Sequence, residues 1–408
     1  MRKISIQTAW QLLAKGASSL STIIILGLIA RRFGKEGTGI YTLALTYLSF
    51  FYIFSDFGFN AYLLPRLKEL NSELVWRKLL GLRLIWSTLL IIVATAALPF
   101  LPFAKIEFSQ SILFGAIAVI GNSVFLTANA LFQSELNLEL GTVASALGIA
   151  IATILVYIFS RLGAPVEAFL LSQSIGWLIT GAISLFLVKK FIKNIAPLFD
   201  WQFVRKCFTE AWPVSLTLAV NLVYFRFDSF ALTSIKSFTD VGIYNFAYSI
   251  FQAALVVPTF IMNGLYPLMI DQLLTNREKF FSYFKKAAVA LLGISVLGTF
   301  LTIILSHTVI TLLAGRNDFE SSVVVLKILS LGFPSFFISS LLMWTLILFK
   351  RYKTMLLIYL VGLLFNISAN LIFIPQYSYI ASAWITGISE CLILVIQIIV
   401  LIPILRKR

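Results

Sequence analysis

Gly37–Phe50 reads GTGIYTLALTYLSF, and Val241–Ala253 reads VGIYNFAYSIFQA. The tripeptide Gly-Ile-Tyr stands at Gly39–Tyr41 and again at Gly242–Tyr244, 203 residues apart in a chain of 408. Laid on itself at that offset, the chain puts Arg2-Lys3 on Arg205-Lys206 and Asn60 on Asn263. A one-residue slip pairs Trp10 with Trp212 and Pro65 with Pro267. Near the end of each half, AFLLSQS from Ala168 resembles AWITGIS from Ala383. The matches are sparse but ordered. They describe two similar halves, expected as residues 1–203 and 204–408.

The solvent of these halves follows from composition. The chain is 60% hydrophobic and 12% charged, against about 25% charged in a soluble domain. No water-soluble core hides that much apolar surface, so most of the chain must lie in lipid. A hydrocarbon core of about 30 Å takes roughly 20 apolar residues of helix. Twelve segments qualify: 8–30, 39–61, 79–102, 110–134, 141–160, 164–188, 208–233, 240–270, 284–309, 322–349, 353–375 and 377–404. They are too long and too uniformly apolar for the strands of a membrane barrel. Backbone in lipid must satisfy its own hydrogen bonds, so they are expected to be helices.

The gaps between segments are short, the longest near 62–78, 189–207, 271–283 and 310–321. They hold no separate domain. Twelve spans put both ends on one side. On that side the gaps and termini hold 21 Lys and Arg, on the other seven. Basic residues stay on the cytoplasmic face, so both termini are expected there, in a cytoplasmic membrane. The net charge of +15 then reflects topology and an anionic leaflet, not a nucleic-acid partner. Six spans followed by six keep one orientation, so the repeat is parallel. The fold class expected is an all-α integral membrane protein of twelve helices in two parallel six-helix lobes.

The two cysteines, Cys207 and Cys391, form no CxxC, and His307 is the one histidine. No metal site is expected. The chemistry lies in polar groups inside the apolar segments. Helical spacing places Gln7, Gln11, Lys15, Ser18 and Thr22 on one face, and Thr42, Ser49, Asp56 and Asn60 on another. Asn245, Gln252, Thr259 and Asn263 form the corresponding stripe in the second half, and Thr217, Asn221, Tyr224 and Asp228 a further one. Such groups either hold helices together or line a polar cleft; stripes kept in both halves favour the cleft.

Charges within the spans weigh more, since each costs on the order of 3 kcal/mol at the bilayer centre. They are Lys15, Asp56, Arg83, Arg226, Asp228, Lys327 and Glu390. Lys15, Arg83 and Lys327 stand close enough to span ends to snorkel or to serve a site. Arg226 and Asp228 are too deep for that and sit about 200° apart around their helix. One is expected to face a cavity and the other to pair with a neighbouring helix. A net cationic site suits an anionic ligand, and arginine matches phosphate geometry.

ARRFGKEGTGIYTLAL from Ala30, FSDFGFNAYLLPRL from Phe54 and FRFDSF from Phe225 followed by DVGIY from Asp240 together resemble the Wzx-type polysaccharide flippases. These belong to the multidrug/oligosaccharidyl-lipid/polysaccharide exporter superfamily. SELNLELG from Ser134 departs from that pattern, with Glu135 and Glu139 in a gap where basic residues fit better. The resemblance implies two six-helix lobes in a V and alternating access. It implies a polyprenyl-diphosphate-linked oligosaccharide as cargo, handled beside membrane lipids, with a polysaccharide polymerase and chain-length regulator as partners. It makes Lys15 and Arg226 candidates for the diphosphate or acidic sugars. Asp56, Asn60, Arg83, Asn221, Asp228, Asn263 and Lys327 are the further substrate-binding candidates. No organic cofactor is implied. Coupling to a Na+ or H+ gradient is, with Asp56, Asp228 or Glu390 as the titrating group.

Two transport readings compete. A multidrug and toxin extrusion antiporter shares the plan, but a cationic drug calls for buried acids where this chain offers Lys15. A lipid II flippase is chemically nearer, though that form carries two further helices. A membrane glycosyltransferase or polymerase needs paired carboxylates or a metal. No DxD motif or histidine cluster supplies them, so no enzymatic activity is expected.

Overall fold

In the computed structural model the described backbone comprises residues 2–64 and 72–406. Side chains are described there except at 2–15, 17, 61, 62, 274, 317 and 406. Every regular element among the described residues is helical. The α-helices are α1 (Arg2–Asp56), α2 (Phe59–Leu63), α3 (Ser72–Ala96), α4 (Ile106–Ala116), α5 (Ala118–Ser134), α6 (Leu138–Leu162) and α7 (Val166–Val188). After a stretch without regular structure come α8 (Trp201–Ile235), α9 (Phe238–Ala254), α10 (Val256–Thr275), α11 (Arg277–Ala314), α12 (Glu320–Ser330), α13 (Phe333–Leu348) and α14 (Tyr352–Arg406). Short 3-10 turns lie at Leu98–Phe100 and Asn317–Phe319.

Among the described residues eight helical stretches are long and apolar enough to cross a membrane, nine if the bent pair α12–α13 counts as one span. The helix α8 is not among them; Arg226, Asp228 and Asn221 dilute its apolar run. Two of the stretches, Ser18–Asp56 and Tyr352–Leu405, greatly exceed what a bilayer of about 30 Å needs. Each contains a single-residue break. In α1 the break is Gly34, at φ 64° and ψ −156°, a conformation that glycine adopts without steric cost. In α14 it is Ser378, at φ 49°, three residues after Pro375. Ser378 Oγ donates to Asp240 Oδ1 at 2.5 Å, and Lys236 Nζ donates to the Pro375 carbonyl at 2.7 Å. These bonds fix the break against the start of α9.

The gaps are tighter than the sequence suggests. The expected gap at 31–38 is helical except for the Gly34 break. The expected gap 271–283 contracts to Asn276, whose side chain caps α11 by accepting the Lys279 N–H at 3.0 Å. Polar and charged side chains extended the helices because their backbone donors are satisfied within the helix or by a cap. The basic residues Arg66 and Lys68 lie outside the described residues.

Contacts group the chain into two compact units. The first comprises Met1–Phe33 and Ile40–Leu222, the second Gly34–Gly39 and Val223–Arg408. The repeat boundary at 203/204 remains a proposal about the sequence halves. In the first unit Trp76, Leu79, Phe132, Ile192, Cys207 and Ala211 share one buried cluster. Trp76 Nε1 donates to the Thr127 carbonyl at 3.1 Å, tying α3 to α5. Asp200 caps α8 by accepting the Phe203 N–H at 3.1 Å, and its other oxygen takes Lys78 Nζ at 2.5 Å. The lysine ammonium and the backbone donors hold the Asp200 carboxyl below its ordinary range. In the second unit α11 carries a long apolar run that is largely exposed, with Val289, Val296, Leu297, Phe300 and Ile304 on its surface. A helix that apolar and that exposed has lipid, not water, as its solvent.

Candidate functional site

The buried charges fall into one cluster in each unit. In the first unit Arg83, on α3, is wholly buried. Its Nη2 donates to Asp56 Oδ1 at 2.5 Å and to Asn60 Oδ1 at 3.0 Å. Asn60 in turn donates to the Leu126 carbonyl at 3.4 Å, and the guanidinium lies 5.9 Å from the Phe59 ring centroid. Arg83 therefore does not snorkel to a helix end; the carboxylate two helices back in sequence holds it inside. The FSDFGFN stretch makes this possible by breaking the helix at Phe57-Gly58, where φ is 46° and 76°. Asp56 and Asn60 then flank the arginine from the two sides of that break.

In the second unit Asp228 is buried within α8. Its Oδ1 accepts Asn370 Nδ2 at 2.8 Å. Its Oδ2 accepts the Tyr244 hydroxyl at 2.7 Å and Thr386 Oγ1 at 3.0 Å. Asn370 also donates to Asn366 Oδ1 at 3.1 Å and accepts Ser382 Oγ at 3.0 Å. Four helical stretches thus converge on one carboxylate: α8, α9 and both parts of α14. Every partner is neutral. A single carboxylate whose partners are one amide N–H and two hydroxyls carries a charge that one proton or one singly charged cation would neutralise. Among the described residues no group of three or more His, Cys, Asp and Glu side chains is arranged to hold a metal.

Arg226 lies two residues from Asp228 and points elsewhere. It is half-buried. Its Nη2 donates to Gln252 Oε1 at 3.1 Å, and its guanidinium stands 5.6 Å from the Tyr248 ring centroid. No carboxylate pairs with it among the described residues. Of the two deep charges, Asp228 is held from both α9 and α14, while Arg226 meets α9 alone, through one hydrogen bond and one ring contact.

The remaining candidates scatter. Asn221 and Asn263 are exposed. The stripe Thr217–Asn221–Tyr224–Asp228 is split, exposed at its first two positions and buried at its last two. Lys327 is exposed in the last turn of α12, where a cation complements the helix dipole. The side chain of Lys15 lies outside those described. Glu390 is buried and accepts the Tyr224 hydroxyl at 2.9 Å. Sequence reasoning passed over Tyr244 and Thr386. Tyr244 is the tyrosine of the repeated tripeptide, and that repetition was the available signal.

A family model described as "Polysaccharide biosynthesis protein" matches residues 6–273, about two thirds of the chain. The chain belongs to this family. No curated protein matches it. Among solved structures, it is similar to the lipid II flippase MurJ in an inward closed conformation. That likeness has a TM-score of 0.81 and 14% identity, over 97% of this chain and 87% of that one. It is equally similar to an inward-facing multidrug resistance MATE family transporter of the MOP superfamily. Here the TM-score is 0.80 and the identity 13%, over 96% of both chains. A MOP superfamily transporter from Pyrococcus furiosus follows with TM-score 0.64 and 14% identity, over 100% of this chain and 96% of that one. At these identities the likeness is one of fold. This polysaccharide biosynthesis family member is a multi-pass membrane protein that shares the fold of the MurJ and MATE structures.

Proposed function

We propose that the protein is a flippase for polyprenyl-diphosphate-linked oligosaccharide repeat units. It moves them across the cytoplasmic membrane by alternating access, for cell-surface polysaccharide synthesis. The observation that carries this reading is the family match over residues 6–273. The placement of Arg226 supports it. A planar guanidinium with free donors and no carboxylate partner suits a diphosphate, which it engages in a bidentate fork. Arg83, Asp56 and Asn60 take a holding role, since Arg83 Nη2 is engaged by the oxygens of both Asp56 and Asn60. Asp228 is the site of the coupling Na+ or H+. Both termini are cytoplasmic, and a polymerase and chain-length regulator receive the product.

Ligand-induced stabilisation tests the recognition step. A ligand that binds only the folded state raises its melting temperature. The expected result is a rise with polyprenyl-diphosphate oligosaccharide and little with the matching monophosphate. The difference should vanish in Arg226→Ala. Stabilisation by cationic drugs alone, with none by the diphosphate lipid, contradicts the proposal. A response confined to lipid II would move the cargo to peptidoglycan precursors.

A further inference from the structure

The turn between α11 and α12 holds a cavity of about 130 Å³. Gly315 closes α11 in the left-handed region at φ 59°, and its N–H bonds to the Thr311 carbonyl at 2.8 Å. Arg316 follows in extended conformation, and the 3-10 turn Asn317–Phe319 leads into α12. The chain reverses over residues 315–319 and leaves this space between the two helix ends. A water needs about 10–15 Å³ of such space, so the cavity admits a group of several heavy atoms.

Four polar side chains line it: His307 and Thr311 from α11, Arg316 from the turn and Glu320 from the first turn of α12. Ile310 and Val323 form its apolar wall. Among the described residues the side chains of His307, Thr311 and Glu320 have no hydrogen-bond or ion-pair partner. Arg316 has one, Asp318, whose Oδ2 lies 3.5 Å from its Nε. Arg316 and Glu320 thus face one cavity with opposite charges that do not meet.

The site continues down α11. From His307, helical steps of three and four reach Ile304, Ile303, Phe300, Val296 and Val289, all exposed. That stripe has lipid as its solvent, and His307 is the polar group at its head. A polar cavity above an apolar stripe matches a phospholipid, headgroup above and chains below. The charges select the headgroup. A phosphate takes hydrogen bonds from the Arg316 guanidinium, the Thr311 hydroxyl and an imidazole N–H of His307. A purely anionic headgroup leaves Glu320 unmatched, and a quaternary ammonium has no N–H to give it. A primary ammonium does. We propose that this cavity binds a zwitterionic aminophospholipid, with its phosphoethanolamine headgroup between Arg316 and Glu320 and its chains on the α11 stripe. The lipid bridges two charges that the protein leaves apart and ties α11 to α12 at this end. The site belongs to the second unit alone and does not depend on the nature of the cargo.

Native mass spectrometry tests this on the full-length protein, delipidated in detergent. It is offered an equimolar mixture of phosphatidylethanolamine, phosphatidylcholine and phosphatidylglycerol with identical chains, and the first lipid bound is read. The expected result is about tenfold enrichment of phosphatidylethanolamine, the worth of one charge-assisted hydrogen bond. Glu320→Gln should bring it level with phosphatidylcholine, and Arg316→Gln should weaken retention of all three. Both residues are exposed, so the lipid-free melting temperature should hold and separate lost binding from lost folding. Glycerophosphoethanolamine, which lacks the chains, should not compete at the same concentration. Equal binding of the three lipids by the wild type, an enrichment that survives Glu320→Gln, or displacement by the chain-free headgroup overturns the proposal.

Discussion

Gly39 and Gly242 meet reciprocally within the second unit. A Cβ on Gly39 would run into the carbonyl of Phe238, and a Cβ on Gly242 into the carbonyl of Lys35. Phe238 stands 203 residues after Lys35, as Gly242 does after Gly39. The contact therefore obeys the same repeat as the sequence. The glycines of the two Gly-Ile-Tyr motifs are retained because each backbone occupies the other's side-chain space, as small residues allow between membrane helices.

Substitution at this crossing should be costly. Backbone carbonyls cannot step aside as side chains can, so Gly39→Ala and Gly242→Ala should each lose about 1–3 kcal/mol by overpacking. Gly264 has no atom near a built Cβ, so Gly264→Ala is the internal control. Melting temperature in one detergent measures all three. Equal stability of Gly242→Ala and Gly264→Ala would refute the packing argument.

Arg83 and Asp56 should behave as a structural pair. Removing one partner of a buried pair typically costs 3–5 kcal/mol. Arg83→Ala should therefore sharply reduce the monodisperse fraction in size-exclusion chromatography. Adding Asp56→Asn should recover part of it, because the stranded carboxylate is gone. A well-folded Arg83→Ala protein that fails only in transport would assign Arg83 to the substrate instead.

Asp228→Asn should fold, since an amide preserves the shape and most of the contacts of the carboxyl. It should lose the response of transport to an imposed Na+ or H+ gradient, leaving only downhill movement of cargo. Transport rates with and without each gradient give the answer. An Asp228→Asn protein that still responds to the gradient would move the coupling site elsewhere.

Reporter fusions at Asn194 and Asn276 should read cytoplasmic, and those at Lys105 and Asn317 external. The segment near Asn194 carries Lys189, Lys190, Lys193, Arg205 and Lys206, the strongest basic group in the chain. An external signal at Asn194 would reverse the orientation.

The helices were legible because long apolar runs are written in residue type, and the twice-stated Gly-Ile-Tyr motif pointed to the two glycines that meet. The breaks were less so. Gly34 and Ser378 interrupt helices at one residue each, where polar neighbours suggested whole loops. The buried charges were visible one by one, since a charge within an apolar run stands out. Their partners were not. Asp56 and Arg83 lie 27 residues apart, and nothing in their spacing says that α1 and α3 bring them together. Tyr244 and Thr386 are ordinary in composition and gain meaning only from the carboxylate they face. Asn221 and Asn263 show the converse, with helical periodicity alone grouping exposed residues with buried ones.

The central claim is that the protein carries a diphosphate-linked oligosaccharide across a bilayer, and movement of that lipid tests it most directly. Sealed proteoliposomes are loaded with labelled polyprenyl-diphosphate oligosaccharide, and the fraction open to an added glycosidase is followed in time. The account predicts that the wild-type protein exposes the lumenal pool at a rate far above protein-free vesicles. Arg226→Ala, inserted at equal density, should fall to the background rate, and Arg226→Lys should lie between. A wild-type rate equal to that of empty vesicles, in preparations that exchange a cationic dye for protons, would contradict the account.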